Sequence, residues 1–267
     1  MRIVIFVHNV IHAVRMVNRT DFISSFAKGL RVIEAFSAET PRLSVAEAAA
    51  NAGLDRATAR RCLLTLNELG YADYDGKFFQ LTPRVLRLGM GALAALPLPQ
   101  IVQPWLDQLS QQTGQSSSVA LLDETEIVYV ARAAQTRVMS IGLMPGSRLP
   151  AHCTSMGRVL LAALPEEEAR ALIEQGDLTP RTATSLTDPA DVMTRLDQVR
   201  RDGYALIDQE VEMGLRSIAV PVRNTRGQTV AALNIGVAAV QAEVDDLVTA
   251  YLPLLQKVQA GLQRVLN

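Results

Sequence analysis

The chain has little that could hold a fold together covalently or through a metal. Its two cysteines, Cys62 and Cys153, supply no disulfide framework and fit a reducing, cytoplasmic compartment. Three histidines and those two cysteines show no paired ligand spacing, so neither a metal nor a cofactor is expected. No apolar run reaches the roughly 18 to 20 residues that cross a bilayer. The nearest approach, Ile3 to Val14, is interrupted by His8, Asn9 and His12 and lacks a small-residue cleavage site. A membrane or secretory role is excluded on that reading. Residues 1–21 form an N-terminal extension, and the first fifteen are either a loosely ordered tail or an over-long start. Internal repeats and low-complexity tracts are also lacking.

What the chain does have is apolar mass. A hydrophobic fraction of 49% with 20% charged residues describes a soluble globular protein with a substantial core. At 267 residues, two domains are the first expectation. The net charge of −1 is unevenly placed: residues 1–98 hold 12 Lys and Arg against 8 Asp and Glu, whereas residues 99–267 hold 14 against 19. A polyanion is therefore the natural partner of the first part and not of the second.

The first part reads as helix, short helix, helix and hairpin. Phe26, Leu30, Ile33 and Phe36 recur at the spacing of one helical face. "LSVAEAAANAG" opens with Ser44 and Glu47 in a capping-box pattern and stops at Gly53. From Asp55 to Leu69 a third helix carries Cys62, Leu63, Leu66 and Leu69 along one stripe, expected to face the first helix, and ends at Gly70. This order is a helix-turn-helix. "YADYDGKFFQL" then places aromatic-rich strands around an Asp75-Gly76 hairpin signal, a wing whose Tyr71, Tyr74, Phe78 and Phe79 serve packing. A linker helix follows from Thr82 to the Pro97-Leu98-Pro99 break.

The apolar stripe of the third helix leaves Ala57, Arg60 and Arg61 on the opposite side and Arg56 on the flank. Arginines on a solvated face also serve solubility. Here, helix order, glycine turn and wing agree on major-groove readout, with Lys77 on the wing beside them. Ser44 and Thr58, at the starts of the second and third helices, complete the expected DNA-facing set of Ser44, Arg56, Ala57, Thr58, Arg60, Arg61 and Lys77.

"AGLDRATARRCLLTLNELGYADYDGKFFQLTPRVLRLG", "LPAHCTSMGRVLLAAL", "DQEVEMGLRSIAVPVRN" and "VAALNIGV" together resemble the IclR-type bacterial transcription regulators, and within them the branch controlling protocatechuate and 4-hydroxybenzoate genes. The resemblance runs from about residue 22 to 265. It implies an α+β chain with a winged helix-turn-helix over 22–83, a linker helix over 84–98 and a GAF-like effector domain over 99–267 made of an antiparallel sheet with helices. It further implies dimers or tetramers on double-stranded operator DNA. For the small-molecule pocket it points to Ser155 and Met156, where backbone amides at a helix start meet an effector carboxylate, and to Ser217, Asn234 and Gly236. Asp208, in the acidic motif at the pocket edge, is a weaker candidate.

Read without the resemblance, the second part still looks like a sensor of small molecules. "SSSVALLDETEIVYVARAA" and "RSIAVPVRNTRGQTVAALNIGVAA" are antiparallel strand pairs, and helices fill the intervals. Arg137 and Arg148 flank the loop before His152 and could pair bidentately with a benzoate-type carboxylate or serve surface salt bridges. Cys153 has no partnered base, so a thiol nucleophile is not expected. Asp208, Glu210 and Glu212 alternate like paired acids on one strand face, and equally like a turn entering at Gly214. The expected activity is therefore not enzymatic. The rivals are a hydrolase or other enzyme using the acidic part, and a constitutive DNA-binding protein without effector.

Overall fold

A computed structural model describes residues 22–37, 40–95, 97–135 and 142–266. The N-terminal extension and Arg137 lie outside the described residues. The chain divides into two compact units at Pro97, and each is built around its own core.

In the first unit, three helices pack on a small sheet: α1 (Ser24–Glu34), α2 (Val45–Asn51) and α3 (Arg56–Glu68). Ser44 and Glu47 make a complete capping box on α2, and the Asp55 carboxylate accepts from the Thr58 amide to start α3. Gly53, at φ 62°, supplies the left-handed residue of the turn between them. The wing has three strands rather than two. β1 (Arg42–Leu43), two residues long, joins β2 (Ala72–Tyr74) and β3 (Phe79–Leu81) in the order β1-β3-β2. Two residues carry no readable period, so the sequence did not announce β1. A linker helix, α4 (Leu86–Ala95), ends the unit.

The apolar stripes fit only in part. Val32, Leu63, Leu66, Leu43 and Phe79 form the core, while Cys62 is only half-buried. Phe26 is 66% exposed and Leu69 is 51% exposed, so the stripes of α1 and α3 run past the core of this unit. Periodicity marks an apolar face without saying whether the same chain covers all of it.

The second unit is a six-stranded antiparallel sheet in the order β6-β5-β4-β9-β8-β7. Its strands are β4 (Ser116–Asp123), β5 (Glu126–Ala133), β6 (Arg148–Pro150), β7 (Ala205–Asp208), β8 (Leu215–Arg223) and β9 (Thr229–Ala238). α5 (Leu98–Thr113) and α9 (Val244–Gln263) cover one face. α6 (Ser155–Ala162), α7 (Glu166–Gln175) and α8 (Pro189–Asp202) cover the other. The proline break before residue 100 thus begins a helix, because proline is tolerated in a first helical turn. The acidic alternation resolves as a turn. β7 stops at Asp208, and Gln209, at φ 59°, leaves the extended region, so Asp208, Glu210 and Glu212 do not share a strand face.

Candidate DNA interface and effector pocket

Arg56, Ala57, Arg60 and Arg61 are all exposed on α3, with Thr58 half-buried at its first turn. Their exposure follows from Ala59, Leu63 and Leu66, which hold the helix onto the core by its other side. Ser44 is spent on capping α2, its hydroxyl accepting from the Glu47 amide. On the wing, the Asp75 carboxylate accepts from the amides of Lys77 and Phe78, which closes the turn. Phe78 lies beneath two cations, Lys77 at 4.9 Å and Arg42 at 5.3 Å from its ring centroid. Arg42, also paired with Asp75, adds a cation to the wing that the sequence reading did not include. It escaped notice because it comes from β1, over thirty residues before the hairpin tip.

The pocket of the second unit lies between the α6 face of the sheet and the first turn of α6. Strand register sets its floor in two rows. Arg132, Ser118 and Asn234 are cross-strand neighbours on β5, β4 and β9. Ser116, Gly236 and Ser217 are neighbours on β4, β9 and β8. From α6, Ser155 meets the second row, its hydroxyl accepting from Ser217 at 2.9 Å. Met156 and Tyr129 close the buried end, and burial pushes the Tyr129 phenol up to about 12. Leu143, Val211 and Leu215 make the apolar walls. The enclosed space is about 30 Å³, room for little more than one water molecule.

Five of the sequence-designated residues therefore come together: Ser155, Met156, Ser217, Asn234 and Gly236. Asp208 and Arg148 do not line this space. The Asp208 carboxylate accepts from Arg216 at 2.7 Å. Arg148 is held by Asp123 at 2.6 Å and Glu126 at 2.7 Å, two neighbouring strand-end carboxylates that consume its charge. The guanidinium that does line the pocket is Arg132, donating to the Ser118 hydroxyl at 2.9 Å. Strand alternation would set Arg132 and Tyr129, three residues apart, on opposite faces. A bulge at Val130, where Val119 pairs with Ala131 and Ala120 with Tyr129, turns both to the α6 side.

Behind the pocket, all three nitrogens of the Arg158 guanidinium are engaged. They donate to both Glu210 oxygens, at 2.8 and 2.6 Å, and to the His152 carbonyl at 2.9 Å. Thr182 and Ser185 donate to carbonyls of residues 209 and 210. The turn that carries Val211 into the pocket wall is thereby tied to α6. Cys153 is fully buried, and burial pushes its thiol up to about 11, which suits a packing residue and not a nucleophile. No group of potential metal ligands assembles among the described residues.

His152 is 4% exposed, and its Nε2 has no hydrogen-bond partner among the described residues. Burial, seconded by the Arg158 charge, lowers its imidazole from 6.5 to about 4. A folded-state value below the unfolded one means stability is complete above about pH 6.5 and falls as the unfolded chain takes up a proton that the folded chain refuses. The loss attributable to His152 is about 2 kcal/mol at pH 5, levelling off below pH 4. Urea titrations at pH 7.5 and 5 are expected to show His152→Leu losing less stability than the wild type over that interval. Equal losses in both proteins would remove His152 as the cause.

Residues 25–76 match the IclR helix-turn-helix domain, and residues 90–262 match the bacterial transcriptional regulator IclR C-terminal domain. Over 236 residues the chain is 42% identical to the Pca regulon regulatory protein of Pseudomonas putida, with 88% of this chain and 81% of that one covered. Over 259 residues it is 39% identical to the p-hydroxybenzoate hydroxylase transcriptional activator of Acinetobacter baylyi, covering 95% and 96%. A solved double mutant of the PobR transcription factor inducer-binding domain from Acinetobacter, in complex with 3-hydroxybenzoic acid, superposes with a TM-score of 0.60 at 38% identity. The match covers 63% of this chain and 98% of that one. An arginine-bearing helix on a winged helix-turn-helix, and a polar-floored pocket in a separate unit, are what such proteins need to read DNA and sense a ligand. The chain belongs to the IclR family of bacterial transcription regulators, ligand-responsive DNA-binding proteins and not enzymes.

Proposed function

We propose that this protein is a cytoplasmic, homo-oligomeric regulator of aromatic-acid catabolism genes. Residues 22–83 bind operator DNA through Arg56, Arg60, Arg61 and Lys77, with Ala57 and Thr58 at the same surface. Residues 84–98 couple the two parts, and residues 99–267 bind an aromatic carboxylate. The exposed apolar stripe of α1 gives a dimer or tetramer a surface to bury. The observation that carries the reading is the pocket, where the hydroxyls of Ser155 and Ser217 and the amide of Asn234 face apolar walls. That combination suits a flat ring with polar substituents, and the double mutant of the Acinetobacter PobR inducer-binding domain is solved in complex with 3-hydroxybenzoic acid.

The size of the space gives the mechanism. At about 30 Å³ the space is smaller than a ring, so binding an aromatic acid requires the lining residues to move apart. The effector therefore binds the opened arrangement better than the closed one, the condition for shifting an equilibrium between DNA-binding states. The test is an operator titration, on DNA selected from a random library, with and without 4-hydroxybenzoate. Operator affinity should change at least several-fold with the acid. Arg60→Ala should lose about 1 to 3 kcal/mol of operator binding while keeping its fold and its acid binding. Operator affinity indifferent to every hydroxybenzoate would mark a constitutive DNA-binding protein.

A further inference from the structure

The pocket floor holds a positive charge for which the described residues offer no carboxylate partner. The Arg132 guanidinium reaches the α6 face of the sheet through the bulge at Val130, and its hydrogen-bond partner there is the uncharged Ser118 hydroxyl, 2.9 Å away. Burial lowers its affinity for its own proton, and no carboxylate among the described residues offsets that. The neighbouring arginines differ: Arg148, Arg158 and Arg216 are each held by one or two carboxylates. Arg132 is half-buried, so its charge is partly desolvated, and an anion beside it would offset that cost.

We infer that Arg132, oriented by Ser118, is the group that takes the effector's carboxylate, with Asn234 beside it in the same cross-strand row. This deepens the effector reading above and rests on it. It moves the acid away from the start of α6. The acid end of the ligand lies on the β5–β4–β9 side of the floor, and the ring extends towards Met156 and the apolar walls. The planar guanidinium selects a carboxylate over a neutral amide of the same shape.

Calorimetry with 4-hydroxybenzoate and its uncharged isostere 4-hydroxybenzamide tests this. The wild type should prefer the acid by at least about thirtyfold, a preference that Arg132→Met abolishes and Arg132→Lys restores in part. A second arm needs no effector: replacing both partners, Arg132→Met with Ser118→Ala, removes the unpaired charge and should raise Tm in the effector-free protein. If Arg132→Met keeps the wild-type preference for the acid, the inference is overturned. If the wild type binds neither probe, the aromatic class is wrong and the second arm decides. A raised Tm in the double variant then upholds an anion site at Arg132, and a lowered one overturns it.

Discussion

Gly157→Ala is expected to destabilise the effector-binding unit by at least about 3 kcal/mol, far beyond the cost of an ordinary glycine-to-alanine change. A Cβ at this position would stand 2.1 Å from the Ala151 carbonyl oxygen, 2.4 Å from the Ala151 Cα and 2.5 Å from the Thr154 hydroxyl. Two of those atoms are backbone in a fully buried turn, so no side-chain rotation relieves the clash. The turn must be this tight because Thr154 caps α6 by accepting from the Gly157 amide, and the cap in turn sets Ser155 and Met156 against the pocket. The same change should abolish effector binding while leaving operator binding by the separate winged-helix unit measurable. Scanning calorimetry reads the result directly: a transition of the second unit within about 2 °C of the wild type would mean that the turn yields and the packing argument is wrong.

Arg158→Met carries the second large effect. It leaves the Glu210 carboxylate buried without the guanidinium that grips both its oxygens, and breaking one side of such a pair costs about 3 to 5 kcal/mol. Adding Glu210→Leu should recover most of that loss, because the penalty lies in the orphaned charge rather than in the missing pair. The double variant separates stability from signalling. With the pair gone but no charge stranded, the turn carrying Val211 loses its tie to α6, so effector binding should survive with weaker coupling to DNA. Denaturant titrations of the single and double variants check the first part, and operator titration with and without the acid checks the second. A double variant as unstable as the single one would show that the geometry around Glu210, not its charge, had been disrupted.

Where sequence and structure agree, the signal was local. The capping box of Ser44 and Glu47, the glycine turn at Gly53, the period of α3 and the Asp75-Gly76 hairpin each lie within a few residues. Each selects one backbone arrangement by its own hydrogen bonds or conformational freedom. The strand pairs around Glu124 and Gly227 were legible for the same reason, since short turns between alternating runs dictate antiparallel pairing. Five pocket residues came from a resemblance spread over the chain; strand register brings Ser217, Asn234 and Gly236 together, and the packing of α6 on the sheet adds Ser155 and Met156.

The sequence by itself thus determined an arginine-bearing winged helix followed by an α+β unit. What it left open was decided at long range. Arg148 and Arg132 are chemically equivalent in the sequence. Two carboxylates at strand ends hold the first, while a one-residue bulge turns the second into the pocket. Alternation cannot anticipate a bulge, because the extra residue appears only when two strands are paired. Arg158 and Glu210 stand 52 residues apart, and neither carries a mark of the other. The apolar stripe of α1 shows the converse: periodicity marks the face, and only packing shows that Phe26 and Leu30 on it stay exposed. Caps, turns and helical faces are set by neighbours in the chain, whereas charge pairing and pocket shape are set by neighbours in space, which exist only once the sheet has closed its register.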